Sequence, residues 1–287
     1  MKKIGWIGAG IMGKSMIRNL MKQGFEVLVY ARNPGKVEDI LQEGAVLMPT
    51  IAQCAEQSDV VITMVGFPRD VEEIYFGVDG ILAHMQPDGY AIDMTTSSPN
   101  LAKNIFEQAK KRRIHALDAP VTGGDIGAKN GTLAILVGGE ERDFEVCKPI
   151  FQAMGENIQY QGSAGSGQHV KLANQIMIAG TLAGICEAIC YGKHKGLDLQ
   201  RMLDSLGTGA AASRQLELLG PKILQKDYEP GFFIKHFIKD MKLAVEEAEQ
   251  SGITLPVLQR VLQSYQQLEQ RGYGELGTQA LMKFYEA

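Results

Sequence analysis

Lys171, Asn174 and Gln175 stand at i, i+3 and i+4 of a proline-free segment, a spacing that brings one ammonium and two carboxamides onto one face of a helix. An ammonium held there can stabilise negative charge gathering on a carbonyl oxygen and supply it with a proton. In the neutral form it takes the proton back from a hydroxyl, and burial favours that neutral form. The competing reading is a surface lysine with its stem laid along a helix. A second group, Thr122-Gly123-Gly124, follows an apolar run. Paired glycines let consecutive N–H groups converge on a carboxylate, and the threonine hydroxyl adds a third donor. A plain glycine turn is the alternative.

The N-terminus carries a third chemical signal. An apolar run over residues 4–7 leads into Gly8-Ala9-Gly10-Ile11-Met12-Gly13, then a helix-compatible segment to residue 23 and a second apolar run over 25–30. Strand, glycine turn, helix and strand in that order form a dinucleotide cradle. Gly8 allows the tight turn, Gly10 lets backbone approach a pyrophosphate, and Gly13 lets helix pack against strand. Ile11 and Met12 open the helix whose free N–H groups face the phosphates. A glycine-rich turn with no ligand is the alternative. An NAD site places a carboxylate at the end of the second strand, but here the chain reads Val29-Tyr30-Ala31-Arg32-Asn33-Pro34, and Glu38 and Asp39 fall in the next helical pattern. Arg32 offers a planar guanidinium to a 2′-phosphate, with Lys36 as a possible second cation, which favours NADP over NAD. A solvated loop cation is the competing view of Arg32.

The elements that must position these groups alternate in type. Apolar, β-branched runs recur at 58–65, 90–94, 114–119, 133–137 and 157–160, with helical patterns between them, as at 99–112 and 143–154. From Gly165-Ser166-Gly167 onward strand signals cease; a helical run extends from 168 to 193, and the remainder is helical in pattern. The expected fold is α/β. An N-terminal Rossmann domain over 1–162, with a doubly wound, mostly parallel sheet, precedes an all-α C-terminal domain over 163–287 that serves substrate binding and dimerisation.

Composition narrows the function classes. The 287 residues are 45% hydrophobic, enough for real cores, and 29 basic against 33 acidic side chains leave a net charge of −4. That balance argues against nucleic acid or an anionic membrane as partner. Only Lys2 and Lys3 precede the first strand, so no signal peptide is expected, nor is any apolar run long enough to span a bilayer; a cytoplasmic location follows. Cys54, Cys147, Cys186 and Cys190 form no CxxC pair and lack histidines at zinc spacing, so neither disulfides nor a metal site are expected. Apolar helices in the smaller domain point to a homodimer or homotetramer.

Five segments, in order along nearly the whole chain, resemble the β-hydroxyacid dehydrogenases, the group that includes 3-hydroxyisobutyrate dehydrogenase and tartronate semialdehyde reductase. They are Gly5-Trp6-Ile7-Gly8-Ala9-Gly10-Ile11-Met12-Gly13, Asp93-Met94-Thr95-Thr96-Ser97-Ser98-Pro99, Asp118-Ala119-Pro120-Val121-Thr122-Gly123-Gly124, the run from Gly165 to Gln175, and Lys239-Asp240. The resemblance implies reversible NADP-linked hydride transfer between a small 3-hydroxy acid and its semialdehyde, of the 3-hydroxyisobutyrate, tartronate semialdehyde or succinic semialdehyde type. It makes Lys171 catalytic and assigns substrate to Thr122, Gly123, Gly124, Asn174 and Gln175. It adds Val65, Thr96 and Lys239 to the cofactor set of Gly8, Gly10, Ile11, Met12, Gly13 and Arg32. Read from residues alone, 95–97 would be a helix N-cap ahead of Pro99 and Lys239-Asp240 surface charge. Arg214 and His236 are further substrate-pocket candidates.

The chain departs from the family pattern in three places. Gln175 stands where an asparagine is usual, with Asn174 just before it; Thr122 replaces the commoner serine; and Gly66-Phe67-Pro68 replaces a shorter Leu-Pro ending. Alternatives of other classes are an imine reductase of the same fold, against which Lys171 speaks, and a non-catalytic NADP-binding protein. A decarboxylating 6-phosphogluconate enzyme would need a larger helical domain.

Overall fold

The computed structural model describes residues 1–286, which divide into two compact units, one ending at Lys171 and the other beginning at Leu172. The first holds nine strands: β1 (Lys3–Ile7), β2 (Glu26–Tyr30), β3 (Val46–Leu47), β4 (Val60–Thr63), β5 (Tyr90–Asp93), β6 (His115–Asp118), β7 (Val121–Thr122), β8 (Leu133–Gly138) and β9 (Gly155–Gly162). Their order is β3-β2-β1-β4-β5-β6-β8-β7, with β9 on β8. All pairs are parallel except β6–β8 and β7–β8. The first six strands thus follow the dinucleotide-binding order, with the reversal between β1 and β4.

The central strands β1, β2, β4 and β5 are apolar on both sides because both sheet faces are covered there. Ile4, Trp6, Val60 and Ile62 face one core with Met16, Ile17 and Leu20 of α1 (Ile11–Lys22). Ile7, Val61 and Ala91 face the other, packed by α3 (Ile51–Glu56), α4 (Pro68–Phe76), α5 (Ile81–His84) and α6 (Pro99–Lys111); α2 (Glu38–Gln42) follows β2. Neighbours along one strand therefore enter different cores, as the period of two requires. The remaining helices here are α7 (Gly124–Asn130), α8 (Glu141–Gln152) and the first turns of α9 (Ser166–His194).

The second unit contains the rest of α9 with α10 (Leu199–Leu206), α11 (Arg214–Leu224), α12 (Ile234–Gln250), α13 (Pro256–Gln270) and α14 (Met282–Tyr285). Leu182, Cys186, Phe237, Met241, Leu258 and Tyr265 form its core, and the buried Tyr265 hydroxyl donates to Thr278 O at 2.8 Å.

Three expectations change. β3 and β7, two residues each, and the short helix α7 carry no periodic signal; β3 exists because Val46 and Leu47 pair with Leu28 and Val29 at the sheet edge, though both are exposed. The cap ahead of Pro99 is Ser98, whose hydroxyl accepts from Leu101 N at 3.4 Å, and residues 95–97 do other work. One helix is also long and apolar enough to cross a membrane: a window of α9 reaches mean hydropathy 1.4. That window is 44% buried within the protein, and the helix carries the polar Gln168, Lys171 and Gln175, all buried, as a core helix does.

Candidate active site

The glycine turn divides its three glycines between two tasks. Gly8 has φ +101°, and a Cβ there would lie 2.1 Å from Met64 O, just beyond β4, so only glycine lets the chain leave β1 at the reversal point. A Cβ at Gly13 would lie 2.3 Å from Gly8 O, so α1 closes on the turn only because that side chain is missing. Gly10 is the opposite case: among the described residues nothing lies within 4 Å of its Cβ position. Two filled glycines flanking one that opens onto space, at the N-terminus of a helix with no acidic residue in its first turn, fit a dinucleotide pyrophosphate. Ile11 next to it is exposed, and Met12 is half-buried against the core.

No carboxylate occupies the end of β2. Asp39 is held by Lys14 Nζ and Arg18 Nη2, each at 2.7 Å, and those hydrogen bonds, Lys14 foremost, pull its pKa down to about 2. Arg32 is exposed, with Nη2 3.8 Å from Asp70 Oδ1; the other Asp70 oxygen accepts from Phe67 N at 3.1 Å and closes the start of α4. Lys36 ends an exposed 3-10 turn, Pro34–Lys36.

Beyond the carboxyl ends of β4 and β5 the backbone is held by buried polar groups. Asp93 Oδ1 accepts from Thr63 Oγ1 at 2.8 Å and from Thr95 N at 3.1 Å, and Thr95 Oγ1 accepts from Val65 N at 3.0 Å. The Val65 amide is therefore engaged within the protein. Burial pushes Asp93 up to about 6, against the hydrogen bonds from Thr95 and Thr63, and the charge of Asp118 adds to the rise. Of Thr95, Thr96 and Ser97 beyond β5, Thr95 and Ser97 are buried and Thr96 is half-buried.

Asp118, at the end of β6, seats the first turn of α9. Its Oδ1 accepts from Gly165 N at 2.7 Å and its Oδ2 from Gln168 N at 2.9 Å, which satisfies donors a helix start leaves orphaned. Burial raises its pKa while those same bonds oppose the rise. Gln168, fully buried, reaches back to the β5 loop: Oε1 accepts from Ser97 N at 2.9 Å and Nε2 donates to Thr95 O at 2.7 Å. Lys171 follows one turn later and is only 7% exposed.

Thr122 is half-buried on β7; Gly123 and Gly124 are exposed, with φ +131° and +65° at the start of α7. In the second unit, Asn174 Nδ2 donates to Gln175 Oε1 at 2.7 Å and Gln175 Nε2 donates to Asp240 Oδ2 at 2.5 Å. Lys239 Nζ pairs with Asp240 Oδ1 at 2.8 Å, so Lys239-Asp240 is a sequestered ion pair rather than loose surface charge. Gln175 and Asp240 are both buried, whereas Asn174 keeps partial exposure. Arg214 is exposed and bound to Glu217 at 2.7 Å; His236 is half-buried between Phe232 and Phe233, and burial lowers its pKa. Burial pushes the thiols of Cys54, Cys147 and Cys186 up to about 12, which makes them packing groups.

Sequence reasoning placed Asp93, Asp118, Gln168 and Asp240 inside family-like segments but gave none of them the buried hydrogen bonds the structure shows. Their signal was an acid or amide inside an apolar stretch, which demands a buried partner.

Fold and cradle together define a dinucleotide-binding protein. Residues 3–162 match the family model for the NAD binding domain of 6-phosphogluconate dehydrogenase, and residues 165–285 match that for the NAD-binding domain of NADP-dependent 3-hydroxyisobutyrate dehydrogenase. Among curated relatives, an uncharacterised oxidoreductase of Bacillus subtilis is 53% identical over 99% of both chains. A probable mitochondrial 3-hydroxyisobutyrate dehydrogenase-like protein of Arabidopsis thaliana is 43% identical over 98% of this chain and 84% of its own. The solved structure of 3-hydroxyisobutyrate dehydrogenase with L-serine from Mycobacterium tuberculosis superposes with a TM-score of 0.90 at 28% identity, covering 100% of both chains. The chain belongs to the β-hydroxyacid dehydrogenase family of NAD(P)-dependent enzymes.

Proposed function

We propose that this chain catalyses reversible, NADP-linked interconversion of a small 3-hydroxy acid and its semialdehyde, with Lys171 holding the proton that moves on and off the substrate oxygen. The observation that carries this reading is the setting of Lys171. It is a buried lysine on a helical turn whose start is fastened by Asp118 and Gln168 to the loops at the carboxyl end of the sheet, where a dinucleotide-binding fold presents its ligand. The bound nicotinamide supplies the hydride. Lys171 stabilises the oxygen charge as it develops and gives up its proton; in the oxidative direction it receives the hydroxyl proton.

The cofactor set in this proposal is Gly8, Gly10, Ile11, Met12 and Gly13 for the pyrophosphate, Arg32 for a 2′-phosphate, and Val65, Thr96 and Lys239 for the nicotinamide end. Substrate carboxylate goes to Thr122, Gly123 and Gly124. Of the two amides, Asn174 is favoured over Gln175 for contact with substrate, because Gln175 is buried and spends its carboxamide on Asp240 and Asn174. The domain limits are taken as 1–162 and 163–287, and the assembly as a homodimer or homotetramer in the cytoplasm, with neither nucleic acid nor membrane as partner. An absorbance screen near 340 nm tests the substrate class. It uses both nicotinamides with 3-hydroxyisobutyrate, 4-hydroxybutyrate, glycerate, L-serine, the matching semialdehydes and cyclic imines. Turnover confined to hydroxy acids and semialdehydes supports the reading, and turnover of imines alone overturns it.

A further inference from the structure

Gln168 does something a packing residue does not. Its carboxamide behaves as a surrogate peptide group: it donates to Thr95 O at 2.7 Å and accepts from Ser97 N at 2.9 Å, the two backbone groups that bracket Thr96. A neighbouring strand would grip a residue in the same way, and the grip coincides with Thr95 and Ser97 being buried while Thr96 keeps partial exposure. The backbone of Gln168 is fixed independently, through its N–H to Asp118 Oδ2 at 2.9 Å. The turn lies directly on the sheet, because a Cβ on Gly167 would stand 2.2 Å from Leu136 O. Gln168 and Lys171 are i, i+3 neighbours on α9, so they share a face. One side chain thus ties the turn that bears the ammonium to the loop that bears Thr96.

We propose that Gln168 is a positioning residue: its two hydrogen bonds across Thr96 set the Lys171 ammonium in register with the nicotinamide-side loop. This rests on the catalytic reading of Lys171 given above. An apolar side chain of similar length would fill the same volume and leave the turn free to shift, and proton transfer is steeply sensitive to such displacement.

Three variants of the full-length enzyme test it, with Trp6, the single tryptophan, reporting NADPH binding by fluorescence. Gln168→Met is expected to bind NADPH within ~3-fold of the parent and to lose ~10- to 100-fold in kcat, the scale of a small misplacement of a reacting group. Hydrogen exchange read by mass spectrometry, independent of turnover, is expected to show protection lost at residues 95–98 and 166–172 and retained across the rest of the sheet. Gln168→Glu supplies the readout that a merely structural role would not move. Ionised, its carboxylate can still accept from Ser97 N but faces Thr95 O with no proton to donate; protonated, it restores both bonds. Its kcat relative to the parent should therefore climb as pH falls from about 8 to 6, while the Gln168→Met ratio stays flat. Lys171→Met separates the two claims. If it turns over like the parent, the catalytic reading fails and takes this inference with it. If it is inactive while Gln168→Met keeps kcat within ~2-fold of the parent, positioning alone is refuted, since a displaced proton donor must cost rate. Should Gln168→Met fail to fold, a pH-flat Gln168→Glu ratio refutes positioning and a rising one upholds it.

Discussion

Asp93→Asn isolates the charge of a carboxyl sealed beneath the β5 loop. Burial moves the pKa of Asp93 from 3.8 to about 6, so its ionised form is about 3 kcal/mol less favourable in the folded protein than in the unfolded chain. The folded state therefore binds the proton first as pH drops. The stabilisation this brings is full below 3.8 and is lost as pH rises through about 6. Between pH 7.5 and 5.0 it amounts to about 1 kcal/mol gained on acidification. Asp118 is also raised by burial and contributes in the same direction, and Tyr75, whose hydroxyl lies 3.3 Å from Thr63 Oγ1, stays neutral throughout. An asparagine with its oxygen in the place of Oδ1 keeps the bonds from Thr63 and Thr95 N and cannot titrate. Urea unfolding followed by Trp6 fluorescence reports the unit that contains Asp93, since Trp6 is fully buried in the same sheet. Across that pH interval the parent should gain about 1 kcal/mol more than Asp93→Asn. Equal pH dependence in the two proteins would refute the raised pKa and the sealed network behind it.

Other substitutions separate folding from ligand binding. Gly10→Ala meets nothing among the described residues, so it should unfold within about 1 kcal/mol of the parent yet bind NADPH at least ~10-fold more weakly. Gly13→Ala drives a methyl to 2.3 Å from Gly8 O and should cost about 1–3 kcal/mol in the same urea assay. Arg32→Gln should weaken NADPH by ~10- to 100-fold and leave NADH within ~3-fold in fluorescence titrations, because only the phosphate-bearing cofactor loses a charge-assisted pair. Equal losses for both cofactors would remove Arg32 from the 2′-phosphate site.

The sequence made the alternation of central strands and helices readable because those strands are short, mostly apolar and β-branched runs set between helical patterns. It also gave Lys171, Asn174 and Gln175 a shared helix face. It was silent wherever the cause lies far along the chain. Val46 and Leu47 become a strand only by pairing with β2, and the partner that occupies Gln175 on α9, Asp240, lies 65 residues on. Gln168 likewise looks like any helix-start glutamine; its partners, Thr95 and Ser97, are 73 and 71 residues back. Periodicity reports which face is buried, whereas a buried polar group is specified by its partner, and partners are set by topology.

The most direct test is single-turnover oxidation of bound NADPH by a semialdehyde active with the parent, compared between parent and Lys171→Met. If Lys171 holds the transferred proton, the variant should retain the parent affinity for NADPH and lose ~10²- to 10⁴-fold in the hydride-transfer rate. A rate within ~3-fold of the parent, with the cofactor bound as tightly, would contradict the account, because a positioned general acid contributes at least ~10²-fold.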